Sequence, residues 1–131
     1  MTKFIKKYDG VTMLDAGSYV SREFSNFQNA MKRELKRLAE EIGANLVSFS
    51  KGHYDMSWFV EREGHFVYGS YSNFGDRAKA NLTGSDSFIA PCYVRTAAHA
   101  KDYRGGSNNH CTFAQVQELM DKLLNQEHIR V

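Results

Sequence analysis

The sequence predicts a two-layer α+β domain, with an antiparallel sheet of about four strands covered by a long N-terminal helix and a C-terminal helix. Three observations predict this fold. Apolar residues recur every three or four positions between residues 20 and 42, which is the pattern of an amphipathic helix. Four later segments are rich in β-branched and aromatic residues, and a helix-capping motif precedes a second apolar stripe. The order is therefore α-β-β-β-β-α, and the 131 residues suit a single domain, 1–131.

The long helix is predicted to begin after Ser18, whose hydroxyl can accept a hydrogen bond from an unpaired N–H group of the first turn. Gly43 can end it, because glycine adopts the left-handed conformation that is common after helix C-termini. Upstream of this helix, residues 3–8 are predicted to be a short extended segment that ends at a turn. The buried stripe of the helix consists of Val20, Phe24, Phe27, Met31, Leu35, Leu38 and Ile42.

The predicted strands are residues 45–50, 56–61, 65–71 and 88–96. The second and third are expected to form an antiparallel hairpin closed at Gly64. A polar, turn-rich connection, 72–87, separates them from the fourth. Pro91 has no N–H group for a strand ladder, so the fourth strand is expected to lie at an edge or to carry a bulge.

The C-terminal helix is predicted to start at Thr112, because Thr112 and Gln115 fit a T-x-x-Q capping box. Cys111 precedes this box and can pack on Val116 as a hydrophobic staple. Residues 97–110 are then expected to be an ordered loop, since the strand and the capping box fix its two ends. We expect Arg95 and Asp102 to pair and to brace it. The buried stripe of the helix is Phe113, Val116, Met120, Leu123 and Leu124.

The composition narrows the class of protein. The formal net charge is +2, from 17 basic and 15 acidic residues, which is too balanced to indicate nucleic-acid binding by itself. No apolar run approaches the roughly 20 residues of a membrane span, and the N-terminus lacks the apolar core of a secretory signal. A cytoplasmic location is therefore expected, with Cys92 and Cys111 as reduced thiols.

Few residues form a pattern that indicates catalysis or a cofactor. The cysteines and histidines lack the spacing of zinc ligands, so neither a metal nor another cofactor is predicted. A small-molecule or nucleotide enzyme would have to use Cys111 at the helix start, His99, His110 and the Gly105-Gly106 pair. His110 is a poor base for Cys111, because adjacent side chains usually point apart. No catalytic residues are therefore predicted.

A basic face of the long helix favours an alternative hypothesis, in which the protein binds nucleic acid through this face and the 95–110 loop. Acidic residues flank these cations, which also favours an ordinary solvated face. The cations of this face are Arg22, Arg33, Lys36 and Arg37.

Two stretches, "HYDMSWFVEREGHFVYGSYSN" and "YVRTAAHAKDYRGGSNNHCTF", carry a resemblance to a known group. They resemble small uncharacterised proteins of phages and conjugative elements of Gram-positive bacteria. Ala98 departs from that pattern, which has lysine there. The matching residues are Phe59, Arg62, Gly64, Val67, Tyr68, Arg95, Thr96, Ala97, Lys101, Asp102, Tyr103, Gly105, Gly106 and Asn108.

The resemblance implies a mobile-element antagonist of a bacterial nuclease defence, similar to anti-CRISPR proteins, that acts by protein–protein contact without catalysis. The partner would be a defence nuclease, such as an RNA-guided CRISPR effector or its guide RNA. Tyrosine and arginine are enriched among the residues that anchor such interfaces. Aromatic residues on the strands could also serve a homodimer. The predicted partner contacts are Arg95, Lys101, Tyr103, Arg104 and Asn108.

Overall fold

The computed structural model describes residues 2–8, 11–12, 22–52, 55–72, 79–80, 92–104 and 106–128. A short 3₁₀ turn, Phe113–Gln115, leads into the last helix. In chain order, the helices and strands of these residues are α1 (Lys3–Tyr8), β1 (Val11–Thr12), α2 (Arg22–Glu41), β2 (Asn45–Lys51), β3 (Asp55–Arg62), β4 (His65–Ser72), β5 (Lys79–Ala80), β6 (Cys92–Ala97), β7 (Asn109–Cys111) and α3 (Val116–Leu124).

The main sheet contains five strands within the described ranges, in the order β2-β3-β4-β6-β7, and every neighbouring pair is antiparallel. The short strands β1 and β5 pair with each other in a separate antiparallel ladder. The predicted α+β class is confirmed, and the main sheet has one strand more than expected. This additional strand, β7, falls in the segment that the sequence assigns to a loop. The two-residue strands β1 and β5 are not predicted by the sequence either, and β5 lies in the segment that the sequence assigns to a connection, 72–87.

The helices lie on one face of the main sheet. Trp58, Val67 and Val94 point to this face from three adjacent strands, and they share one buried cluster with the apolar stripes of α2 and α3. This alternation is typical of an antiparallel sheet that is covered on one side. Among the described residues, no helix is long and apolar enough to cross a membrane.

Helix α2 ends as the sequence predicts. Gly43 has φ +75°, its N–H donates to the Glu40 carbonyl, and the Ala44 N–H donates to the Ala39 carbonyl at 2.9 Å. These two bonds form a Schellman motif and pair carbonyl groups that the helix itself cannot satisfy. The predicted cap at Ser18 lies outside the described residues.

The β3–β4 hairpin also confirms its prediction. Arg62 pairs with His65 across a two-residue turn, in which Glu63 and Gly64 both have positive φ, 54° and 82°. This is a type I′ turn, whose twist matches that of the strands. The Arg62 guanidinium then binds the Asp121 carboxylate at 2.6 Å and the Ile42 carbonyl at 2.8 Å. It therefore ties the hairpin to the ends of both long helices.

The prediction of an extended segment at residues 3–8 is wrong, because these residues form α1. The Thr2 hydroxyl accepts a hydrogen bond from the Ile5 N–H at 3.2 Å, which caps the turn. Phe4 packs on Phe27 and Phe113, with ring centroids 5.8 Å and 5.4 Å away. Packing against α2 and the 3₁₀ turn therefore favours the helix, and a six-residue segment has too little periodicity to reveal this.

The sequence predicts that the fourth strand lies at an edge or carries a bulge at Pro91, and the first of these alternatives is wrong. The described strand, β6, begins at Cys92 and pairs with β4 on one side and β7 on the other. Pro91, on which the alternative of a bulge depends, lies outside the described residues.

The capping signal before the last helix is confirmed in part. The Gln115 side chain accepts a hydrogen bond from the Thr112 N–H at 3.0 Å, as the capping box predicts. The first turn is 3₁₀, however, and α3 begins at Val116. Cys111 and Val116 both belong to the buried cluster.

Candidate functional site

The sheet face opposite the helices carries the candidate site, and we call it the outer face. Across three adjacent strands it presents Phe59, Tyr68 and Arg95, which are direct cross-strand neighbours. Tyr93 and His110 are the next cross-strand pair on the same face, with ring centroids 5.8 Å apart. The residues after β6, which we call the 98–108 loop and which are described except for Gly105, pack onto this surface.

Tyr103 in the 98–108 loop makes the central contact with the outer face. Its ring lies edge-on to Phe59 and to Tyr68, with centroid distances of 5.3 Å and 5.7 Å. Edge-to-face geometry is favoured by aromatic quadrupoles. Phe59 is only 1% exposed although it faces away from the core, whereas Tyr103 remains 58% exposed. Tyr103 is therefore held in a fixed position while much of its ring stays accessible.

The Tyr68 hydroxyl on the outer face lies close to the hydroxyl groups of Ser57 and Tyr93. Burial raises the pKa of Tyr68, and the neighbouring Tyr93 hydroxyl raises it further. A hydrogen bond with Ser57 and the positive charge of Arg95 act in the opposite direction, but they do not cancel the increase. Tyr68 therefore stays protonated at neutral pH and retains its O–H donor.

Arg95 is the brace of the loop. Its Nη2 donates to the Asp102 backbone carbonyl at 2.8 Å, and its Nη1 lies 3.4 Å from the Thr96 carbonyl. The guanidinium carbon lies 4.5 Å from the centre of the Tyr68 ring, which is a cation–π contact. The predicted contact between Arg95 and Asp102 is thus present, but it joins the guanidinium to the backbone carbonyl of Asp102 and not to the carboxylate. With 4% exposure, Arg95 supports the loop from below and is not placed to contact a partner directly.

The buried carboxylate of Asp102 holds the backbone of the loop. It accepts hydrogen bonds from the N–H groups of Ala98 at 2.9 Å and Arg104 at 3.1 Å. His128 lies 3.6 Å from the same carboxylate, and its other ring nitrogen lies 3.1 Å from the Thr96 hydroxyl. Asp102 is therefore a scaffold residue that links the loop to the C-terminal segment.

The returning end of the loop lies close to β6. Gly106 has φ +77°, and a Cβ atom there would lie 2.6 Å from the Thr96 carbonyl oxygen, so no larger residue fits. The Asn109 side-chain amide donates to the carbonyls of Val94 and Ser107 at 3.1 Å and 3.0 Å. Asn109 thus closes the loop at its return, and the exposed Asn108 precedes it.

The side chains that the loop presents outward are basic and polar. Lys101 and Arg104 are exposed on either side of Tyr103, and His99 accepts a hydrogen bond from the Lys101 N–H at 3.1 Å. The predicted contacts therefore fall into two groups. Lys101, Tyr103, Arg104 and Asn108 form the exposed surface, whereas Arg95 holds it from below.

The basic helix face is less uniform than its sequence indicates. Arg22, Arg33 and Lys36 are exposed on α2. Arg37 is engaged by two carboxylates, at 2.8 Å from Glu34 and 2.6 Å from Glu41. These acids neutralise part of the face, as expected for a solvated helix surface.

The cysteine and histidines that an enzyme would have to use are not grouped in the structure. Cys111 is 3% exposed and faces the core, whereas His110 faces outward against Tyr93 and His99 lies at the start of the loop. Neither histidine is therefore placed to activate the thiol. In the described ranges, no three His, Cys, Asp or Glu residues come close enough to share a metal ion.

The sequence alone does not assign Phe59, Tyr68 and Tyr93 to this site. One feature of the sequence could have indicated them. Strands β3 and β4 carry aromatic residues on both faces, whereas a sheet that is covered on one side needs apolar residues on only one face. Comparison of the chain with protein-family models, with curated proteins and with solved structures finds no match. Geometrically, the site is a loop that packs on an aromatic sheet face and leaves Tyr103 exposed.

Proposed function

We propose that this chain is a non-enzymatic binding protein whose contact surface is the exposed part of the 98–108 loop. The observation that supports this proposal most directly is the position of Tyr103, which is 58% exposed although its ring packs on Phe59 and Tyr68. A tyrosine held in place before binding loses little conformational entropy when it contacts a partner. Lys101 and Arg104 flank it, so an acidic partner surface fits best.

The resemblance to phage and conjugative-element proteins supplies the partner class, a nuclease of a bacterial defence system. The two stretches that carry this resemblance meet in one place in the fold. Phe59 and Tyr68 come from the hairpin stretch, and they pack against Arg95 and Tyr103 from the loop stretch. This convergence supports a role in which both stretches build one interface.

The test is an interference assay in cells. Bacteria that carry a restriction system or an RNA-guided nuclease are challenged with a targeted phage or plasmid, with and without this protein. The proposal predicts that the protein restores plating or transformation efficiency in at least one system. Unchanged interference in all of them, with the protein expressed in soluble form, would contradict the proposed partner class.

The outer face favours a second candidate, the binding of single-stranded nucleic acid. Tyr93, Tyr103 and His110 offer aromatic surfaces beside Lys101 and Arg104, and single strands are bound by base stacking with cationic contacts to phosphates. Gel shifts with single-stranded and duplex DNA and RNA test this candidate across a salt series. A complex whose affinity falls steeply with salt would favour it, and the absence of any shift at low salt would exclude it.

A further inference from the structure

Two buried thiols face each other across the last strand pair. Cys92 in β6 and Cys111 in β7 are direct cross-strand partners, and both point into the core. They are 1% and 3% exposed, both are free, and their thiols are hydrogen-bonded to each other. The binding function described above uses neither residue.

This placement fits the geometry of a disulfide. Directly opposed residues of an antiparallel pair have Cα atoms about 4.5 or 5.5 Å apart, depending on the type of pair. Both values lie inside the range of roughly 4.4–6.8 Å that disulfides span. The bond can therefore form without a large movement of the two strands.

The two thiols differ in reactivity. Burial raises the pKa of Cys92 strongly, whereas the hydrogen bond from Cys92 lowers the pKa of Cys111. Cys111 also lies in a strand of only three residues, which is at one edge of the main sheet as described. Short edge segments open locally at low cost, so an oxidant can reach Cys111 first.

We propose that Cys92 and Cys111 form a reversible disulfide that fixes β7 to β6. The oxidant is a small-molecule disulfide such as oxidised glutathione. The Cys111 thiolate attacks one of its sulfur atoms, and one glutathione leaves as a thiolate. The Cys92 thiolate then attacks the Cys111 sulfur and releases the second glutathione as a thiolate. The protein therefore loses two protons and two electrons, and these convert one oxidised glutathione into two glutathione thiols.

The bond would close a chain segment that contains the whole 98–108 loop. Its consequence for binding rests on the proposed function, since the same segment presents Lys101, Tyr103 and Arg104. Cross-linking the ends of a loop reduces its freedom. We therefore expect the oxidised protein to show slower amide exchange in the 98–108 loop than the reduced protein.

The test incubates the full folded chain with oxidised glutathione, quenches it in acid, unfolds it and labels the remaining thiols for mass spectrometry. We expect a monomer that has lost two hydrogen atoms, takes up no label and recovers two labels after dithiothreitol. The Cys92→Ala variant should stop at a mixed disulfide of Cys111 with glutathione. The Cys111→Ala variant should react far more slowly, because Cys92 is the less reactive thiol.

Two results would overturn the proposal. One is a native chain that keeps both labels under conditions in which the Cys92→Ala variant takes up glutathione. The other is a native chain that stops at a mixed disulfide or forms only intermolecular dimers. No partner is needed for these measurements, so their outcome is independent of the proposed binding function.

Discussion

Replacement of Arg95 by methionine tests whether the Arg95 guanidinium holds the 98–108 loop in place. Methionine keeps most of the aliphatic stem and removes the guanidinium, so the change is mainly one of charge and hydrogen bonding. In the native chain that group donates to the Asp102 carbonyl at 2.8 Å and lies 4.5 Å from the Tyr68 ring centre. Arg95→Met therefore removes both contacts at once and leaves a buried carbonyl without its donor.

The magnitude follows from these two contacts. A hydrogen bond from a charged donor contributes about 1.5–3 kcal/mol, and a partly buried cation–π contact contributes about 1 kcal/mol. Relief of the desolvation of a nearly buried charge offsets part of this loss. We expect a net decrease of about 2 kcal/mol in the free energy of unfolding.

Urea unfolding measures the global effect, and amide hydrogen exchange measures the local one. The amides of Ala98 and Arg104 should exchange faster in Arg95→Met, because they donate to the Asp102 carboxylate that the brace holds in place. Arg104→Met is the matched control, because Arg104 is exposed and its loss should change stability by less than about 0.5 kcal/mol. If Arg95→Met behaves like this control in both measurements, the loop is not braced as described.

Further predictions concern the core and the helix surface. A Cβ atom at Gly69 would overlap the indole of Trp58, which is 1% exposed, so Gly69→Ala should destabilise the fold by about 2 kcal/mol in urea unfolding. In a double-mutant cycle, Gly69→Ala should cost less stability in the Trp58→Phe background than in the native chain, because the phenylalanine ring is smaller. If the costs of the two substitutions simply added, the overlap would be contradicted. Burial raises the pKa of Glu34, but hydrogen bonds from Arg37 and Thr2 and the Arg37 charge lower it more, and the net pKa falls below 4.5. The ionised Glu34 therefore stabilises the folded state fully at pH values above the pKa of the unfolded chain, and this stabilisation is lost as the pH falls through the lowered pKa of the folded chain. Glu34→Gln should cost about 1 kcal/mol of unfolding free energy at pH 7 and much less near pH 3. An equal cost at both pH values would contradict the ionised pair.

The elements that the sequence predicted correctly have strong local determinants. Helix α2 has five apolar turns and a glycine stop, and the β3–β4 hairpin has strand-forming residues on both sides of a Gly64 turn. In these segments the local conformational preference agrees with the packing in the fold, so the sequence pattern alone is sufficient to predict the helix or strand.

The elements that the sequence did not predict depend on distant contacts. Strand β7 has only three residues, which is too short for an alternating pattern, and it exists because it pairs with β6. Helix α1 depends on the packing of Phe4 against α2 and the 3₁₀ turn. Short segments of this kind take their conformation from their tertiary surroundings.

The candidate site also contains some features that the sequence indicates and others that depend on distant contacts. The loop and its exposed cations could be identified from the sequence, because turn-forming and polar residues have recognisable patterns. The burial of Arg95 between the Tyr68 ring and the Asp102 carbonyl could not be predicted, because it requires the loop to fold back over the sheet. Arginine in a polar stretch is usually exposed, and only the folded contacts identify it as a support residue.

The most direct test of the proposed function compares two charge reversals in the interference assay. Lys101→Glu/Arg104→Glu changes the loop, and Arg33→Glu/Lys36→Glu changes the exposed face of α2 by the same net charge. Circular dichroism and urea unfolding must first establish that both variants fold like the native chain. We predict that the loop variant loses protection against the defence nuclease and that the helix variant keeps it. A folded loop variant with full protection would contradict the assignment of the 98–108 loop as the contact surface.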